Sequence, residues 1–253
     1  MITDPIFYAV AIPALLITGI SKGGFGSGVG ILAVPAITLT VSPVTAAAIV
    51  LPILCVMDLF GVWGYRGTWD RANMKIMIPG AVLGIGIGVM AFGLLDERWI
   101  GLIIGLIAVS FSLLRWLKQA QAEALPKGPN RVRGTIWSMT SGFTSFISHA
   151  GGPPIQFYLL PQRMDKTVFV GTTVIFFLIV NYVKLVPYIW LGLFDASVLT
   201  TALVLVPVAP ISIWLGMRLH RIIPPGPFYR ICYVFVFLAG LKLLYDNVAV
   251  VVA

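Results

Sequence analysis

Charge is what this sequence has least of. Charged residues fill 10% of its 253 positions, against 59% that are hydrophobic. So few polar side chains cannot solvate a soluble domain of this length, so the chain reads as a membrane protein. Acids number nine, and only Asp58 falls inside a full apolar span. Cysteines number two, Cys55 and Cys232, both in apolar runs, where they read as free buried thiols. The two histidines, His149 and His220, are far apart. No HExxH, paired-cysteine metal spacing or P-loop occurs. Gly26-Ser27-Gly28 is no nucleophile elbow, because Phe25 stands where the first glycine is needed. These absences exclude the common hydrolytic, zinc and ATP-driven chemistries. Positions 1–7 carry Asp4 and no basic residue, which does not fit a cleavable signal peptide. The net charge of +8 comes from basic residues in short loops between apolar runs, the placement that sets membrane topology and not one that binds nucleic acid.

Long apolar runs are abundant, and two have an awkward length. Residues 5–40 are interrupted by Ser21-Lys22-Gly23-Gly24-Phe25-Gly26-Ser27-Gly28-Val29-Gly30, and residues 134–160 by Ser148-His149-Ala150-Gly151-Gly152-Pro153-Pro154. One helical span takes about 20 residues, so the first run is too long for one and too short for two. Two half-helices meeting at a glycine break fit it. Irregular backbone at membrane depth survives only where protein buries it or where it lines a polar cavity. Paired breaks in two halves are a pointer to a transporter's binding site.

Six full spans remain, at about 44–64, 74–95, 99–117, 168–193, 197–217 and 228–245. The chain divides into a first repeat (1–117), a cytoplasmic linker (118–133) and a second repeat (134–253) within one membrane domain. Thr45 aligns with Thr167, Asp58 with Asn181, Pro79 with Pro207 and Gly88 with Gly216. The shared order, a broken segment and then three spans, is the stronger sign of a repeat. Basic residues decide the topology. If the second broken segment dips in and returns, Arg163, Lys166, Arg218, Arg221 and Arg230 join the basic residues of the 65–75 and 115–133 regions, leaving only Arg98 on the other side. That is the asymmetry the positive-inside rule expects. The expected fold is therefore an all-α integral membrane protein of two inverted repeats, each a glycine-broken re-entrant hairpin plus three transmembrane helices. The competing picture has eight crossing helices, two of them kinked.

A half-helix ending at the midplane offers unpaired N–H groups and the positive end of its dipole to an anion. The expected substrate-binding residues are Lys22, Gly24, Gly26, Ser27 and Gly28 of the first break, His149, Gly151, Gly152 and Gln156 of the second, and Asn181 and Lys184 within a span. The glycines of the breaks allow close backbone approach to a ligand or, on the other reading, tight helix packing, the role assigned to Gly80, Gly84 and Gly88. Lys22 serves as an anion ligand or snorkels to the surface. His149 donates to an anion, carries a proton or bonds a free carbonyl. Lys184 is a functional cation or a lysine paired to a backbone carbonyl. Asp58 is a proton or sodium coupling site, or a fixed counter-ion for Lys184 or Lys22.

The glycine-rich break that runs on to Ala33-Val34-Pro35 resembles the TauE/SafE family of sulfite exporters and related anion permeases. So does Ser148-His149-Ala150-Gly151-Gly152-Pro153-Pro154 followed by Leu159-Leu160-Pro161. With the two-half layout, the resemblance covers essentially the whole chain. It implies a secondary transporter in the cell's inner membrane, moving small organic or sulfur-containing anions such as sulfite, sulfonates or sulfoacetate. The substrate would sit near the midplane at the two broken-helix tips. No cofactor is expected beyond coupling to H+ or Na+; the partners are a small anion and membrane lipid, not nucleic acid, and a homodimer is compatible with the reading. A passive anion channel is the alternative, and a membrane-embedded scaffold a more remote one.

Overall fold

The computed structural model describes residues 1–26, 33–92, 128–248 and a few positions between 102 and 116. Ser27, Gly28 and the rest of the first break to residue 32, most of the expected 99–117 span and residues 117–127 of the linker lie outside the described residues. All regular structure among the described residues is helical: α1 Pro5–Phe25, α2 Ala33–Ile37, α3 Pro43–Gly64, α4 Arg71–Met90, α5 Arg131–Ser148, α6 Gly152–Leu159, α7 Lys166–Trp190, α8 Ala196–Leu205, α9 Val208–Ile222 and α10 Pro225–Val248. Among them α1, α3, α4 and α7 are each long and apolar enough to cross a membrane. Helices α8 and α9 make a fifth candidate, bent by 42° at a short break, where a single straight span was expected over 197–217. Pro207 sits in that break and cannot donate to the helix ladder.

Short polar side chains start most of these helices. Asp4, Ser42, Asp70, Asn130, Asp165 and Asp195 each accept from a backbone N–H of the first turn, satisfying donors that the helix cannot. Helix α1 ends at Gly26, whose φ of 72° is the left-handed cap that glycine adopts without strain. Helix α5 ends at His149, with φ 54°, a conformation uncommon for a residue with a side chain.

The helices on either side of each break pack on one another. Gly19 lies against Met57, Lys22 against Asp58 and Gly23 against Tyr65, so α1 and α3 run in the same direction. Helix α2 packs on both α1 and α3 and shares a buried apolar cluster with Phe7, Ala11 and Ala46. At the second break, α6 carries the chain back until the Tyr158 hydroxyl accepts from the Asn130 N–H at 3.2 Å, next to the start of α5. Helices α3 and α7 run antiparallel at the centre, Asp58 meeting Asn181 and Gly61 meeting Val174.

The broken segments pack reciprocally. Helix α1 lies on α9, and α5 lies on α4. Both contacts use glycine to bring backbones together. A Cβ at Gly24 would come within 2.7 Å of the Gly216 carbonyl oxygen, and one at Gly80 within 2.8 Å of the Thr135 carbonyl oxygen. Gly84 and Gly88 face α5 in the same way, as the packing reading of that glycine row expects.

One end of the molecule gathers the basic loops. There Asn73 pairs with Gln162, Thr68 faces Gly171, and Lys166 donates to the carbonyls of His220 and Ile223. The other end holds the N-terminus, which bonds Ser197.

Candidate functional site

Five polar residues meet at the centre, all withdrawn from solvent: Lys22 of α1, Asp58 of α3, Asn181 and Lys184 of α7, and His149 at the end of α5. Lys22 Nζ lies 2.7 Å from Asp58 Oδ1. Asn181 Nδ2 donates to the other carboxylate oxygen at 2.7 Å. Lys22 also lies 5.7 Å from the centre of the Phe177 ring, within cation–π range. Asp58 is thus a counter-ion of Lys22, clamped from both sides.

Lys184 is held by neutral groups. Its Nζ contacts the Ser145 carbonyl at 2.9 Å, Ser145 Oγ at 2.9 Å and His149 Nδ1 at 2.7 Å. An ammonium has donors only, so His149 Nδ1 must accept, and Nε2 must carry the ring proton. Nε2 accordingly donates to the Ala47 carbonyl at 3.0 Å. The ion pair of this cluster is Lys22–Asp58. Lys22 and Lys184 bring two positive charges and Asp58 one negative, so the buried cluster carries one positive charge in excess.

A cavity of about 30 Å³ opens in this cluster, lined by Thr18, Lys22, Leu54, Ser145, His149, Gly152, Phe177 and Asn181. Every residue in that lining is buried. The space suffices for about one or two water-sized groups. Asn181 Oδ1 has no partner among the described residues, leaving an acceptor in the cavity wall.

The second break supplies much of this wall. Helix α5 carries a stripe of hydroxyls, of which Ser141 donates to the Gly151 carbonyl at 2.7 Å and Thr144 to the Ala150 carbonyl at 3.2 Å. The irregular backbone therefore finds its partners within its own hairpin, as a bilayer requires. Helix α6 begins at Gly152, with Pro153 and Pro154 next. The prolines carry no N–H, so Gly152 provides the sole backbone donor of positions 152–154.

The described part of the first break presents the opposite pole. The last carbonyls of α1 are all taken by side chains: Tyr65 donates to Gly23 at 2.6 Å, His220 Nδ1 lies 3.1 Å from Gly24, and Gln156 donates to Phe25 and Gly26. The thiol of Cys232 also reaches the Phe25 carbonyl.

Of the sequence-predicted residues, Lys22, His149, Gly152 and Asn181 line the cavity, and Asp58 and Lys184 stand directly behind them. Gly24, Gly26, Gly151 and Gln156 do not line it. Gly24 packs against Gly216, Gly151 against Ser141, and Gln156 joins the first break to the second through Gly26. Ser27 and Gly28 lie outside the described residues. Ser145, Thr18, Leu54 and Phe177 were not singled out in the sequence. The spacing of Ser138, Ser141, Ser145 and Ser148 along one helix was the available signal for Ser145.

Comparison with known proteins adds two findings. The family model described as "Sulfite exporter TauE/SafE" matches residues 11–243. A curated relative from Comamonas testosteroni, "Probable inner membrane transporter protein TsaS", is 30% identical over 189 residues, covering 73% of this chain and 76% of the relative. No solved structure matches.

Proposed function

The chain belongs to the TauE/SafE family of membrane transporters, as a multi-pass protein of the inner membrane, and on that premise we propose that it is a secondary carrier of small organic or sulfur-containing anions such as sulfite, sulfonates or sulfoacetate. The observation that carries this reading is that two buried lysines with a single buried carboxylate stand at the central cavity. Lys184 is buried at 0% exposure with neutral partners alone. A lysine at membrane depth costs about 3 kcal/mol on insertion scales. An anion in the adjoining cavity offsets that cost where the resting protein provides no carboxylate. The N-terminal end of α6, whose Gly152 lines the cavity, adds to the same field.

The two broken segments support an inverted-repeat arrangement, one re-entrant hairpin entering from each face. Their reciprocal packing and the antiparallel α3–α7 contact are what that arrangement requires. The end rich in Arg and Lys is then cytoplasmic. The buried lining of the cavity favours a carrier with an occluded site over an open channel.

Purified protein tests the binding reading directly. Methanesulfonate and sulfite should each raise the melting temperature in a saturable manner. Acetate and chloride serve as the comparison that sets selectivity. Lys184→Met should abolish the rise. An equal rise in Lys184→Met would remove Lys184 from the site, and no rise with any of the four anions would remove the site.

A further inference from the structure

The anion reading leaves open how movement of the anion is driven, and the Lys184–His149 contact suggests an answer that rests on that reading. We infer that Lys184 and His149 form a two-base unit that takes up one proton with each bound anion, so that this pair, and not Asp58, couples transport to protons.

Three features of the geometry carry the inference. First, two basic groups touch: Lys184 Nζ lies 2.7 Å from His149 Nδ1, and both residues are buried. In the resting arrangement the lysine holds its proton, and the imidazole is neutral with its own proton on Nε2. A second proton can enter only at Nδ1. That proton breaks the Lys184–His149 hydrogen bond, since both atoms then donate, and sets two positive charges side by side. Second, the cavity adjoins the pair, and His149 is part of its wall. A negative charge there stabilises the doubly protonated state and gives Nδ1–H an acceptor, while the Lys184 ammonium keeps its Ser145 partners. Third, Asp58 is already committed to Lys22 and Asn181, at 2.7 Å each. Protonating it would strand Lys22.

The remaining titratable or charged groups around the pair fit this division. Lys22 and Asp58 offset one another. Cys55, one turn before Asp58 on α3, is a buried thiol. Tyr188 stacks on the His149 ring at 6.3 Å and gives its hydroxyl hydrogen to the Phe146 carbonyl. The charge balance is simple. The resting cluster carries one positive charge, and one proton plus one monovalent anion leave it unchanged. A buried site that keeps its net charge through the cycle avoids a repeated desolvation cost. Proton and anion must then promote each other's binding by the same factor.

Proton uptake by the purified protein in weakly buffered detergent solution tests the inference, with methanesulfonate as the probe because that anion takes no proton between pH 5 and 9. Addition of methanesulfonate should draw about one proton from solution per site. Its apparent affinity should fall tenfold per pH unit on the alkaline limb. His149→Gln keeps a donor and an acceptor but cannot hold the added proton. It should bind methanesulfonate with a flat pH profile and no proton uptake. Asp58→Asn in a Lys22→Met background should still take up about one proton per methanesulfonate bound, whatever its affinity for the anion. Saturable binding without proton uptake in the wild type, or unchanged uptake in His149→Gln, would overturn the pair's role and leave the anion site standing. No binding at any pH would overturn the anion site itself and this coupling with it.

Discussion

Lys22 and Lys184 are both buried, yet their partners differ in charge, and that difference governs what each contributes. Lys22 is neutralised by Asp58 at 2.7 Å, and Asn181 holds the second carboxylate oxygen. Removing one member of such a pair leaves an uncompensated charge in a low dielectric, at a cost of about 3–5 kcal/mol. Asp58→Asn should therefore lower the melting temperature by roughly 10 °C for a protein of this size. Lys22→Met added to it should restore most of the loss, because two neutral side chains need no pairing. A melting temperature unchanged in Asp58→Asn would show that the pair contributes nothing to the fold. The sequence marked all five polar residues of the cluster, because ionisable and amide side chains inside apolar runs are costly and therefore conspicuous. It left open which partner Asp58 takes. A residue list shows that a lysine and an acid share a membrane, while the 2.7 Å contact depends on how α1 and α3 are aligned.

Helices meet here through glycine, and the glycine row of α4 separates two roles within one turn. Gly84 faces the backbone of α5 at Met139 and Phe143, whereas Gly86 has nothing within 4 Å. Gly84→Ala should push α4 and α5 apart and reduce the yield of folded protein in detergent. Gly86→Ala should be neutral, or stabilise by up to about 1 kcal/mol through helix propensity. Equal thermal stability of the two variants would contradict the assigned α4–α5 contact. Span positions for α3, α4 and α7 were legible because a long apolar run has one outcome in a bilayer. The bend at Pro207 was not, since proline is tolerated in a straight span when neighbours satisfy the freed carbonyl. Nor was the use of Gly24 and Gly151 for packing. Glycine that approaches a ligand and glycine that approaches another helix read alike until the neighbour is known, and Gly24 finds Gly216 while Gly151 finds Ser141.

At the scale of the whole molecule, each hairpin in an inverted repeat begins and ends on its own face, the first outside and the second inside. In a Cys55→Ser, Cys232→Ser background, an impermeant thiol reagent outside whole cells should label cysteines at the exposed positions Asp4, Leu39 and Ala196. It should not label cysteines at the exposed positions Arg131 and Arg163. External labelling at 163 with 131 protected would restore eight crossing helices. The charge asymmetry in the sequence argues for this arrangement at the second hairpin, because Arg163 and Lys166 flank it. The first hairpin has no basic flank, and its return is inferred only from the parallel course of α1 and α3. Both hairpins serve one purpose in this account, which is to hold a small anion against Lys22, His149 and Lys184. Uptake of labelled sulfite into proteoliposomes with an imposed proton gradient tests that claim most directly. Wild-type protein should accumulate sulfite above the external concentration, while Lys184→Met of equal thermal stability should accumulate none. Accumulation by Lys184→Met at the wild-type rate, or wild-type flux that only equilibrates sulfite, would contradict it.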